Sequence, residues 1–130
     1  MSYLSAFTTQ LIQFFENLQE TIPEEKDIRM ATEALKGAKK INPRLIYELF
    51  YEHIYVDLHE VVDKRDIAFI VQYGRHKAAT KFNEIMPAIS IFDKHWSSLS
   101  PASQEAIWKY MKVLCILCEN VRDESVKKSI

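Results

Sequence analysis

The residues best suited to chemistry are two cysteines that stand three positions apart. Cys115 and Cys118 have the C-x-x-C spacing found in zinc sites and redox motifs. A zinc site takes about four ligands, and the sequence has no second cysteine pair. The pair also falls near the C-terminal end of a predicted helix, where the helix dipole opposes a thiolate. We therefore expect two reduced core thiols, with no metal ion and no cofactor.

The other polar residues do not have the spacing of a catalytic site. The sequence from His59 to Asp63 begins like the H-E-x-x-H zinc-hydrolase motif, but Asp63 stands where the second histidine ligand is required. The serines around His95 fit turn and helix-cap positions, and none lies in a G-x-S-x-G elbow. We expect that the protein is not an enzyme, and an enzyme with an unrecognised site remains an alternative.

Four cations lie within nine residues, across the junction of two predicted helices: Lys36, Lys39, Lys40 and Arg44. Such a segment can hold a phosphate group or a nucleic-acid backbone, although lysines at a helix C-terminus also complement the helix dipole. The whole chain has 17 Lys and Arg against 18 Asp and Glu. No overall positive field therefore attracts nucleic acid or an anionic membrane. Nucleic-acid binding through residues 36–44 is the alternative function.

Aromatic residues are concentrated in the third predicted helix. Tyr47, Tyr51 and Tyr55 are spaced by four residues, so they lie one above another beside Phe50. A small domain has a limited interior, so aromatic side chains on two sides of one helix indicate a surface for another protein. We predict that Phe50, Tyr51, Tyr55 and Trp108 are the contact residues for a protein partner or for self-association.

The elements that carry these residues are predicted from apolar residues that recur at steps of three and four. Helices are expected over about residues 4–19, 23–40, 43–58, 82–97 and 101–118, with short helices between 59 and 81. In the third helix Leu45 and Ile46 are expected to face inward, and Gly74 is expected to end the helix before it. The sequence thus predicts an all-α fold, a compact single-domain bundle of five or six helices over residues 3–119, followed by a polar, frayed C-terminal tail over 120–130.

Three segments of the chain carry a resemblance to a known family. They are residues 7–28, with Ile-Pro-Glu-Glu at 22–25, residues 35–50, with Asn-Pro-Arg at 42–44, and residues 96–114, with Leu-Ser before a Trp-Lys-Tyr sequence. In this order they resemble a family of short, uncharacterised helical proteins of large eukaryotic DNA viruses. The resemblance implies a viral accessory, virion-associated or host-interaction protein, and it brings no catalytic residue with it.

The sequence therefore predicts a non-enzymatic α-helical protein–protein interaction module, with a viral accessory or virion-associated role. The N-terminal residues lack the basic and apolar regions of a secretory signal. The longest unbroken apolar run covers only residues 113–118, far short of the ~20 residues that span a bilayer. We expect an intracellular protein, in the host cytoplasm or the virion, that is neither secreted nor bound to a membrane.

Overall fold

Helices make up the regular structure of the described residues, which are 2–78 and 94–129 of the computed structural model. No strand occurs in these two ranges, and the all-α prediction is confirmed. The described elements, in chain order, are α1 (Tyr3–Thr21), α2 (Lys26–Ile41), α3 (Pro43–Phe50), a π-helical segment (Tyr51–Tyr55), α4 (Val56–Lys64), α5 (Ile67–Ala78), a single 3-10 turn (Trp96–Ser98) and α6 (Pro101–Ser129).

Short polar side chains start several of these helices, because they accept hydrogen bonds from backbone N–H groups that lack a partner in the first turn. The Ser2 side chain accepts from the N–H of Ser5 at 3.1 Å, and the Asn42 side chain accepts from the N–H of Leu45 at 3.3 Å. Ser100 caps α6 in the same way. α2 begins later than predicted, because the chain around Pro23 forms a turn instead of a first helical turn.

The chain from α3 to α4 is one continuous helical rod, and it extends beyond the predicted end near residue 58. The π-helical segment joins the two α-helices without a break. The rod ends at Arg65, whose φ of 53° is in the left-handed region that commonly closes a helix. The next helix, α5, is capped by Asp66, whose side chain accepts from the N–H of Phe69 at 3.1 Å.

Two helix ends differ from the sequence prediction. α5 continues through Gly74 to Ala78, because the backbone of Gly74 stays helical and does not turn left-handed. α6 continues through the expected tail, and Val121 is only 2% exposed, so its side chain belongs to the core. Most of the helix predicted over 82–97 lies outside the described residues, and its last residues form the 3-10 turn.

The core lies around α1 and α6, which pack along each other, and α1 also contacts α2 and α3. The α1 side of this core is formed by fully or nearly fully buried Phe7, Leu11, Phe15 and Leu18. Burying a side chain of this size contributes about 1.5 to 3 kcal/mol. The last helix, α6, therefore lies at the centre of the described core. Within the described ranges, no helix has both the length and the apolar content that a membrane crossing requires.

Candidate interaction surfaces

Four aromatic rings form a column along the rod. The ring centroids of Tyr47 and Tyr51 are 6.1 Å apart, those of Tyr51 and Tyr55 are 5.4 Å apart, and those of Tyr55 and His59 are 4.5 Å apart. Residues four apart on an α-helix drift by about 40° around its axis at each step. The wider π-helical turn opposes this drift. The π-helical segment therefore keeps the four rings close to one line.

The column faces α6 and is held there by polar contacts. The Tyr55 hydroxyl donates a hydrogen bond to Glu119 Oε1 at 2.6 Å. The guanidinium of Arg122 lies 5.7 Å from the centroid of the Tyr55 ring. Burial, followed by the hydrogen bond to the Glu119 carboxylate, raises the pKa of Tyr55 to about 12. The column thus joins the rod to α6 and contributes little outer surface.

Three of the four predicted contact residues are core residues. Phe50, Tyr55 and Trp108 are buried, while Tyr51 is partly exposed. Phe50 meets the Phe7 ring edge-on at 5.0 Å, and Trp108 has a similar contact with the Trp96 ring. This corrects the expectation of an outer aromatic surface. The physical reason is that the rod turns its aromatic side toward α1 and α6.

The C-x-x-C cysteines also lie in the core, as expected. Cys115 and Cys118 are free and buried. Burial raises the pKa of each thiol to about 12, so both stay protonated near neutral pH. Among the described residues, no group of three or more His, Cys, Asp or Glu side chains is placed to hold a metal ion.

The four predicted phosphate-binding cations do not converge on one point. Lys36 Nζ lies 3.3 Å from a Glu16 carboxylate oxygen, and Lys39 Nζ donates to Thr9 Oγ1 at 3.1 Å, so both side chains reach toward α1. Arg44 Nε lies 3.7 Å from a carboxylate oxygen of Glu48. Lys40 is exposed. Two of the four cations are thus used to join α2 to α1.

An exposed apolar pair accompanies the other two cations. Ile41 is 87% exposed and Leu45 is 46% exposed, at the corner where α2 meets α3. Leu45 was expected to face inward, but α3 buries Ile46 and its neighbours on the other side. We call Lys40, Ile41, Arg44 and Leu45 the basic-apolar corner.

The basic-apolar corner was missed from the sequence, although a signal for it is present. The buried stripe of α2 includes Ile28, Ala31 and Leu35. Ile41 follows Leu35 by six residues, which is about 240° around an α-helix and places it off the stripe. An apolar residue that lies off the buried stripe of a helix and next to lysines is the sequence signal for such a surface.

A cleft of about 530 Å³ lies between α4 and α6. Val62 and Trp108 are its buried lining residues. Arg65 spans its end: two guanidinium nitrogens donate to the two Glu105 carboxylate oxygens at 2.7 and 2.8 Å. The same guanidinium lies 5.8 Å from the Trp108 ring centroid. The left-handed backbone of Arg65 is stabilised by the helix end itself, where the N–H of Arg65 donates to Val62 O at 3.1 Å and the N–H of Asp66 donates to Val61 O at 3.2 Å.

Similarity to known proteins adds nothing to this geometry. A comparison of the chain with protein-family models, curated proteins and solved structures finds no match. The resemblance to proteins of large DNA viruses therefore stays a prediction, and the case for each surface is made from its own residues.

Proposed function

We propose that the protein is a non-enzymatic helical interaction module, and that its basic-apolar corner docks an acidic, apolar segment of another protein. The observation that carries this proposal is the 87% exposure of Ile41 beside exposed cations. When a partner removes a large aliphatic side chain from water, the complex is stabilised by about 25 cal/mol per Å² of apolar surface buried. Leu45, 46% exposed near the start of α3, is the second exposed apolar residue of the corner.

The charges of the corner indicate what the partner carries. Lys40 precedes Ile41 and Arg44 precedes Leu45 in the chain, and both cations are exposed; Arg44 Nε also lies 3.7 Å from a carboxylate oxygen of Glu48. Complementary charge speeds association and excludes partners of like charge. A segment with Leu, Phe or Trp among Asp and Glu residues fits this surface, with its apolar side chain against Ile41.

Nucleic-acid binding is supported less well by the same contacts. A phosphate backbone is held by several converging cations, whereas Lys36 and Lys39 are bonded to Glu16 and Thr9 on α1. The exposed Ile41 also offers nothing to a phosphate group. We therefore favour a protein partner, and duplex DNA is one of the probes of the test.

The biological setting belongs to the same proposal. The family resemblance supports a viral accessory or virion-associated role, with the protein in the host cytoplasm or in the virion. An interaction module needs no catalytic residue, which agrees with the absence of a recognisable catalytic motif in the sequence.

The test is a selection of random displayed peptides on the folded protein, with binding of the enriched peptides measured by titration. We expect enriched peptides to combine acidic residues with large apolar ones. Affinity should fall about tenfold or more for Ile41→Ser and for Lys40→Glu, because each removes one part of the recognition. Met30→Ser is the matched control, since Met30 is 69% exposed on α2 but lies away from the corner.

Two results would contradict the proposal. One is a set of enriched peptides that bind Ile41→Ser as tightly as the original protein. The other is salt-sensitive binding to a DNA duplex that Lys40→Glu removes and Ile41→Ser leaves unchanged, because such binding uses the cations without the apolar surface.

A further inference from the structure

A cleft of about 320 Å³ lies between α1 and α6, and its lining residues differ from those of the cleft between α4 and α6. It is lined from residues 14–21 of α1 and 103–110 of α6, about two turns of each helix. Phe14 packs on Tyr110, with ring centroids 5.2 Å apart. The lining residues after Phe14 share the cleft with those before Tyr110, so the helices are antiparallel here. We call this space the α1/α6 cleft.

The floor of the α1/α6 cleft is apolar. Phe14, Leu18 and Ile107 line it and are buried core residues. Ala106 lies beside Ile107, lines the same cleft and is exposed, because its methyl group is too small to fill the space. An apolar group that enters the cleft displaces water from this floor, which stabilises a complex.

The polar side chains of the α1/α6 cleft are all uncharged. They belong to Asn17 and Thr21 on α1 and to Ser103 and Tyr110 on α6. Within the described ranges, no acidic or basic side chain lines the cleft. Removal of an ion from water is costly unless an opposite charge pairs with it. The lining therefore favours an uncharged ligand over a charged one of the same shape.

Two neighbouring polar groups in the cleft keep hydrogen-bonding capacity. Asn17 Nδ2 donates to the hydroxyl oxygen of Tyr110. The Tyr110 O–H remains a donor and Asn17 Oδ1 remains an acceptor, and neither has a partner among the residues that the structure describes. A ligand group that fits this pair must accept one hydrogen bond and donate another. A carboxamide does both, because its oxygen and its NH₂ group are on one carbon atom.

We propose that the α1/α6 cleft binds a small uncharged molecule in which a flat apolar group carries a carboxamide. The apolar group lies on Leu18 and Ile107. The carboxamide oxygen accepts from the Tyr110 hydroxyl, and the carboxamide NH₂ donates to Asn17 Oδ1. The volume of the cleft is at the lower end of the range of about 300 to 1,000 Å³ that ligand sites have, so the ligand is small.

The experiment is a titration of the isotope-labelled full chain with benzamide, followed by the NMR signals of the backbone N–H groups. We expect shifts concentrated in residues 14–21 and 103–110. The expected dissociation constant is about 1 to 10 mM, because a ligand of so few atoms buries little surface. Benzoate has the same shape but carries a charge near neutral pH, so it should bind about tenfold more weakly or less.

Two variants test the site itself. Ala106→Phe places a ring in the cleft and should abolish the shifts that benzamide causes, whereas Ala34→Phe, at an exposed position of α2, should leave them unchanged. Tyr110→Phe removes the hydrogen-bond donor and should weaken benzamide binding about three- to tenfold. Tyr3→Phe, which removes an exposed hydroxyl elsewhere, is its matched control. Circular dichroism checks that each variant is folded.

Three results would overturn the proposal: no benzamide shifts up to about 20 mM, benzoate binding as tight as that of benzamide, or unchanged benzamide binding by Ala106→Phe. If Ala106→Phe does not fold, equal benzamide affinity of Tyr110→Phe and the original protein overturns it instead. The site is independent of the basic-apolar corner, and loss of peptide docking by Ile41→Ser bears on the corner alone, so the two proposals fail separately.

Discussion

Replacement of Tyr55 by phenylalanine removes one buried hydroxyl and leaves the ring in the column. The hydroxyl donates to Glu119 at 2.6 Å, a hydrogen bond with a charged acceptor. Such bonds contribute about 1.5 to 3 kcal/mol. Because Glu119 is only half-buried and can bind water instead, we expect the free energy of unfolding to fall by about 1 to 2 kcal/mol. Urea denaturation near neutral pH measures this change.

The pH dependence gives an independent measurement of the same contact. Burial and the Glu119 carboxylate raise the Tyr55 pKa from 10.0 to about 12 in the folded protein. Below pH 10 the hydroxyl is protonated in both states, and its contribution to stability is complete. As the pH rises from 10 toward 12, the unfolded state releases the proton first, so this contribution is lost. The stability difference between the original protein and Tyr55→Phe should shrink through that window.

Two controls assign the effect to the hydrogen bond. Tyr3→Phe removes the hydroxyl of an exposed tyrosine, and we expect a change within about 0.5 kcal/mol. A double-mutant cycle of Tyr55→Phe with Glu119→Ala should give a coupling energy of about 1 kcal/mol. A coupling energy near zero, or a loss no larger than that of Tyr3→Phe, would refute the inference that this contact joins the rod to α6.

Further outcomes follow from burial and capping. Near neutral pH, Cys115 and Cys118 should react slowly with a thiol reagent in the folded protein and rapidly in urea. Fast labelling of the folded protein would contradict the raised pKa of both thiols. Trp108→Ala should lower the free energy of unfolding by about 3 to 5 kcal/mol, whereas Lys109→Ala, an exposed neighbour, should change it by less than about 0.5 kcal/mol in the same urea measurement. Asn42→Ala should lower the free energy of unfolding by about 1 kcal/mol, because the side-chain cap of α3 is lost. An unchanged midpoint of thermal unfolding would show that this cap contributes nothing to stability.

The all-α fold class and most helix starts were predictable from the sequence, because they depend on interactions between residues that are close together in the chain. Ser2, Asn42, Asp66 and Ser100 each accept a hydrogen bond from an N–H three residues later. This interaction needs no tertiary contact. Helix ends were less predictable, as the continuation of α6 past Val121 shows, since a buried side chain can extend a helix into a polar segment.

The candidate surfaces were harder to predict than the helices. The spacing of Tyr47, Tyr51 and Tyr55 places the three rings in one column, in which Tyr51 and Tyr55 are stacked and Tyr47 is tilted against Tyr51. Their orientation toward α6 was missed. Periodicity shows that residues share one side of a helix, but it does not show whether another helix or solvent lies against that side. The exposed Ile41 was missed for the same reason.

By itself the sequence determined that this chain is helical, where several helices begin, and that its cysteines are core residues. These properties follow from local hydrogen bonds and from the period of apolar residues. Only the tertiary structure decided which aromatic residues are buried and which apolar residues face solvent. The π-helical segment changes the rotation of the rod, and the packing of that rod on α1 and α6 then selects the side that is covered.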